Sequence, residues 1–133
     1  MIRVLVCGGR KFTDAGRVFQ VLDEIDTHRG IAVVIEGGQR TLNSKREIIG
    51  GADYWANQWA EVRGREPVRI DAEWTRLGKA AGPIRNQRMI DEGKPDLVVA
   101  FPGGVGTMNM VTKARRAGIE LIEVDGTNRL SLR

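Results

Sequence analysis

The chain has 133 residues, a formal net charge of +4, 41% hydrophobic and 29% charged residues, one cysteine and one histidine. This is a globular composition, long enough for a hydrophobic core; Cys7 alone excludes an internal disulfide framework, and His28 alone leaves neither a zinc constellation nor a histidine-based nucleophile triad. No apolar run approaches the ~20 residues of a membrane span, and the first residues read as a strand rather than a signal peptide, so the expectation is a single cytoplasmic domain over residues 1–133, without membrane, metal or cofactor.

The elements alternate along the chain. Ile2–Cys7 reads as the first strand. A helix follows from about Asp14 to His28, with Val18, Val21, Leu22 and Ile25 at helical spacing and Thr13 or Asp14 as cap. Ile31–Ile35 is the second strand. Gln39–Gly50 is irregular, with room for a short helix over Leu42–Ile48. It is long for a βα connection, and a mobile lid, a dimer contact and a plain insertion are equally compatible with it. Ala52–Arg63 is a helix carrying Trp55 and Trp59, read as core. Pro67–Ile70 is a third strand, and Pro83–Glu92 a helix whose proline suits the first turn. Leu97–Phe101 is the fourth strand. Thr107–Ala117 is a helix with Thr107 as cap and Gly118 closing it, and Glu120–Val124 the fifth strand. The tail Asp125–Arg133 reads as short and loose. This order predicts an α/β three-layer sandwich around a mainly parallel sheet of about five strands.

Three strands run into glycine pairs: Gly8-Gly9-Arg10, Gly37-Gly38, and Pro102-Gly103-Gly104-Val105-Gly106-Thr107. In a parallel sheet all three lie on the carboxyl edge, where open α/β folds bind ligands. Glycine lets the backbone approach an anion closely, and a helix N-terminus presents free N–H groups and partial positive charge. No Gly-Lys-Ser/Thr closes the last loop, so it is not a P-loop. Sixteen of the 21 basic residues are arginine, a bias that suits phosphate or carboxylate recognition. Arg10 is the phosphate candidate, and Thr107 can offer its hydroxyl to a phosphate oxygen. Asp53 opens its helix as a first-turn carboxylate or a ligand-hydroxyl contact. Asp71, Glu73 and Trp74 follow the third strand on the same edge, the acids suited to ribose hydroxyls and the indole to a base. Arg85 and Asn86 sit near the start of a helix, where a first-turn arginine opposes the dipole and calls for an anionic partner. Cys7 reads as a buried small side chain.

Taken together, these segments resemble the SLOG superfamily, which groups the DNA-processing protein A proteins with the Lonely Guy phosphoribohydrolases, and within it the small YspA-like branch. The matching residues are Gly8 to Asp14, Gly37-Gly38, Gly51-Ala52-Asp53 with Ala56 and Trp59-Ala60, Ala72-Glu73-Trp74, Gly78 with Ala81-Gly82-Pro83, Arg85-Asn86 with Met89, and Ala100 to Thr107. The resemblance implies a Rossmann-like fold, a nucleotide or nucleotide-derived ligand over the glycine loops, and a homodimer. It leaves open a sensor or carrier of an adenosine-phosphate-like molecule, a nucleotide hydrolase, and a single-stranded DNA binder. The last is not favoured, because the basic residues are scattered among acids. In the Lonely Guy motif a glutamate cleaves the N-glycosidic bond with help from an arginine on the preceding helix. Here the glutamate position holds Met110, which handles no proton, and Arg85 falls where the helper arginine does. Arg85 and Glu73 are therefore the weak catalytic candidates, with Glu36 and Asp71 as other carboxylates. Gln39–Gly50 is a second departure, since close relatives join these segments more tightly.

Overall fold

The computed structural model describes residues 1–125 and 130–132. Its main sheet has six strands among the described residues. The central strand β1 (Ile2–Cys7) pairs in parallel with β2 (Ile31–Glu36) on one side and β6 (Leu97–Ala100) on the other. Outward from these, β5 (Glu66–Arg69) and β7 (Glu120–Val124) are also parallel. The sequence anticipates these five strands to within a residue or so at each end.

Beyond them, β8 (Leu130–Leu132) adds an antiparallel edge strand against Ile122–Val124. It corrects the expectation of a loose tail at those residues; the rest of that expected tail, residues 126–129 and 133, lies outside the described residues.

Strand alternation builds two cores. Val4 and Val6 of β1 pack with Leu97 and Val99 of β6 under α1 (Ala15–Arg29) and α2 (Ala52–Arg63). Leu5 and Cys7 pack with Val98 and Ala100 under α4 (Ala81–Asp91) and α5 (Val105–Arg116). Because both faces are covered, the central strands read as near-continuous apolar runs rather than alternating ones. Trp59 is wholly buried in the first core, its indole N–H donating to Asp23 over 2.8 Å, and Trp55 packs against its edge. The Asp14 side chain caps α1 by accepting from the Arg17 amide, as expected. Gly118, at φ +71°, follows α5 as predicted.

Three local expectations fail. Gln39–Gly50 holds no helix; Thr41–Leu42 (β3) and Ile48–Gly50 (β4) form an antiparallel hairpin. The cause is Asn43, whose side chain accepts from the Lys45 and Glu47 amides and folds the chain back before a helix can start. Next, α5 begins at Val105 with Gly104 as its cap residue, so Thr107 is inside the first turn and caps nothing. Finally, a short helix α3 (Trp74–Leu77) and a 3-10 turn (Gly78–Ala80) lead straight into α4, which starts two residues before Pro83. Arg85 is thereby moved out of the first turn and into the interior.

Candidate functional site

The carboxyl ends of β1, β2 and β6 meet where the sheet order reverses, the position at which open α/β sheets form a crevice. The first and last glycine turns are joined there by their backbones, and the first is joined to the start of α2. The Gly9 amide donates to the Pro102 carbonyl over 2.9 Å, and the Gly9 carbonyl accepts from the Ala52 amide over 3.2 Å. Side chains have no room in this junction. A Cβ on Gly8 would come within 2.6 Å of that of Ala52, and one on Gly103 within 2.1 Å of the Thr107 hydroxyl and 2.7 Å of the Gly9 amide nitrogen. Gly104 and Gly106 differ: a Cβ on either would meet nothing within 4 Å. Gly104 is the cap of a 12-residue helix and offers no side chain, so the first N–H groups of α5 receive no side-chain cap.

Beneath the turns lies a buried set of charges. Glu36, wholly buried at the end of β2, accepts from the Gly38 amide over 2.7 Å and from the Arg40 guanidinium over 3.0 Å. Asp53, in the first turn of α2, is also buried and accepts from the Gln39 amide. Burial, then the nearby Glu36 charge, push the Asp53 carboxyl up to about 7. Arg85 reaches in from α4, donating to the Gly37 carbonyl and, over 3.0 Å, to the Asn86 side chain. Burial draws its pKa down, against the pull of Asp53 and Glu36. Asn86 in turn donates to the Gly106 carbonyl and to Asn109, tying α4 to the start of α5. Cys7 is buried in the same region and its thiol is pushed well up, mainly by desolvation, so it is held neutral and unreactive.

Two open clefts flank the junction. One, of about 470 Å³, is floored by Gly37 and Gly38 and carries Arg10, Arg40, Arg69 and Arg85 on its walls. The other, of about 450 Å³, runs over Gly9, Pro102, Gly103 and Gly104. Arg10 lines both and is exposed, with no hydrogen-bond or ion-pair partner among the described residues. Asp53, Arg85, Asn86 and Thr107 meet around a gap of about 20 Å³ beneath the turns, room for about one water.

The structure thus brings together Gly8, Gly9, Arg10, Gly37, Gly38, Asp53, Arg85, Asn86, Pro102, Gly103, Gly104, Gly106 and Thr107 on one edge. Trp74, 53% exposed, stands on the wall of the larger cleft beside Asp71. Glu73 precedes α3, is bound by the Arg76 guanidinium, and does not line either cleft. Met110 is wholly buried in the second core, packed with Leu5, Cys7 and Met89. The sequence reading missed Gln39, Arg40, Leu42 and Ile48. A signal was there: apolar residues on both sides of a polar Asn43-Ser44-Lys45-Arg46 run mark a hairpin.

Residues 2–77 match the family described as YspA, cpYpsA-related SLOG family. A protein of Mycobacterium phage D29, described as Gene 61 protein, is 35% identical over 130 residues, which cover 92% of this chain and 95% of that one. Among solved structures, MurG of Acinetobacter baumannii superposes with a TM-score of 0.54 at 13% identity over 92% of this chain, and UDP-N-acetylglucosamine 2-epimerase of Rickettsia bellii with 0.52 at 17% over 92%. The chain spans 34% and 30% of those two proteins, and the likeness is one of Rossmann-like fold.

Proposed function

The chain belongs to the YspA, cpYpsA-related SLOG family, and on that premise we propose that it binds a nucleotide or nucleotide-derived ligand, of adenosine-phosphate type, as a sensor or carrier. The observation that carries this reading is the open space above Gly104. Gly104, the side-chain-free cap of α5, lines one cleft with the Gly9 turn and with Arg10, which has no partner among the described residues. That is a phosphate site in chemical terms: backbone N–H groups donate, the helix end supplies partial positive charge, and a guanidinium closes the shell.

Arg85, Arg40, Glu36 and Asp53 have a different part. Each spends its donors or acceptors on the turns themselves. They fix the positions of Gly37, Gly38 and Gln39 so that the edge is preorganised before ligand arrives. Asp71 is the exposed carboxylate nearest in kind to a ribose-hydroxyl acceptor, although Arg69 holds one of its oxygens.

Binding without turnover is the favoured mode. The motif position that carries the glutamate in the Lonely Guy enzymes is Met110, packed in the core rather than facing the clefts. The test is thermal unfolding with adenosine monophosphate and with adenosine. Binding to the folded state alone raises stability by about 2.7 kcal/mol at one hundred times Kd. A shift with the monophosphate and a much smaller one with the nucleoside supports the reading. No shift with either removes it.

A further inference from the structure

The β3–β4 hairpin is ordered by its own chemistry. The Asn43 amide donates to the Glu47 carbonyl, the Arg46 amide to the Asn43 carbonyl, and the Asn43 side chain holds the turn between them. Its base is pinned as well, since the Gly51 amide donates to the Phe12 carbonyl and the Arg40 guanidinium stacks 5.3 Å from the Tyr54 ring centre. In the hairpin register Leu42 is opposite Ile48. Cross-strand partners share a face, and this pair faces the larger cleft: both line it, and both are about half exposed, at 49% and 47%.

Trp74 lines the same cleft. Its indole is oriented by α4, where Gly82 leaves the space it needs: a Cβ there would be 3.2 Å from the tip of the ring. A glycine within a helix costs about 1 kcal/mol relative to alanine, and here it seats an aromatic side chain that is still half exposed. The cleft lining therefore combines one indole and two aliphatic side chains with arginines, of which Arg40 and Arg69 are paired to Glu36 and Asp71 and Arg10 has no partner among the described residues. An occupant that satisfies both is planar and apolar at one end and anionic at the other.

We propose that Trp74, Leu42 and Ile48 form a slot for the base of the bound nucleotide, with the hairpin as its fixed outer wall. This rests on the nucleotide-binding reading above and adds which element reads the base. The base stacks on the Trp74 indole and is backed by Leu42 and Ile48, and its phosphate end lies toward Arg10 and the start of α5. The hairpin is thus a specificity element of this chain rather than a lid, because its turn and base are closed by hydrogen bonds that need no ligand.

The test compares calorimetric affinities for adenosine monophosphate and ribose 5-phosphate, which share the phosphorylated ribose and carry adenine or a hydroxyl at C1′. The slot predicts that the nucleotide binds at least about tenfold tighter, the worth of one stacked base. Trp74→Ala, and separately the double substitution Leu42→Ser with Ile48→Ser, should bring the nucleotide down toward the ribose 5-phosphate value and leave ribose 5-phosphate unchanged. Equal affinity for the two probes in the unsubstituted protein overturns the slot and keeps the phosphate site. Equal loss for both probes in the variants also overturns it, as does a hairpin variant that changes the oligomeric state in sedimentation but not the nucleotide affinity. If neither probe binds, the slot and the nucleotide reading fall together.

Discussion

The Arg85 guanidinium, carried on α4, donates to the carbonyl of Gly37, which lies just past the end of β2. One side chain thereby couples a helix on one face of the sheet to the glycine turn on its edge. The approach is so close that a Cβ on Gly37 would be 2.5 Å from a guanidinium nitrogen. A side chain at Gly37 would have to displace the Arg85 guanidinium.

Replacing Arg85 removes the cation between two buried acids. Asp53 and Glu36 both draw on it, and breaking one member of a buried charge set costs about 3–5 kcal/mol. Arg85→Ala is expected to lose stability of that order in urea unfolding, and Arg85→Lys to recover only part of it, because an ammonium cannot fork between Gly37 and Asn86. A loss under about 1 kcal/mol for the alanine variant would show that the cluster does not depend on Arg85.

The two neighbouring glycines of the last turn should behave oppositely. Gly103→Ala drives a Cβ into the Thr107 side chain and the Gly9 backbone, so the folded state should be weakened. Gly104→Val meets nothing within 4 Å at its Cβ. It should fold normally and lose nucleotide binding, because the new side chain fills the space above the helix N-terminus. Melting temperature and affinity measured on both variants separate the two roles; a normal affinity for Gly104→Val would remove the phosphate site.

Arg10 has no partner to lose among the described residues. Arg10→Ala should change stability by less than about 0.5 kcal/mol. It should weaken the monophosphate by about tenfold or more, a charge-assisted hydrogen bond being worth about 1.5–3 kcal/mol, and leave the nucleoside alone. Equal weakening of both would mean that Arg10 does not read phosphate.

Asp53 gives the protein a pH signature. Its carboxyl is pushed from 3.8 up to about 7 by burial and by Glu36. Between those values the unfolded chain releases a proton that the folded chain keeps. Stability from this group is therefore greatest below the lower value, falls as pH rises through the interval, and is flat above about 7. Asp53→Asn should remove that slope and raise stability at pH 8 relative to pH 5 by more than about 1 kcal/mol, against the native protein. An unchanged slope would show that another group is responsible.

The sequence made the sheet legible because its three central strands are buried on both faces and run into glycine pairs. Ile2–Cys7, Ile31–Glu36 and Leu97–Ala100 each stand out as apolar runs closed by a turn. The glycine edge followed from topology alone. What was not legible depended on contacts distant in sequence. Glu36 looks like an ordinary loop acid until Arg40 and the Gly38 amide are seen to enclose it. Arg85 looks like a first-turn arginine until α4 is found to begin at Ala81. The hairpin was obscured because Leu42 and Ile49, seven apart, fit a helical spacing while Leu42 and Ile48 form the cross-strand pair, and Asn43 decides between the two.

Binding without turnover is tested by a calorimetric titration of the protein with adenosine monophosphate, with the same cell followed by chromatography for free adenine. Saturable heat and nucleotide recovered intact are expected, with neither heat nor product from Gly104→Val. Free adenine that depends on Gly104 would contradict binding without turnover and assign the chemistry to another carboxylate of the site. The absence of heat with the unsubstituted protein would contradict the nucleotide reading itself.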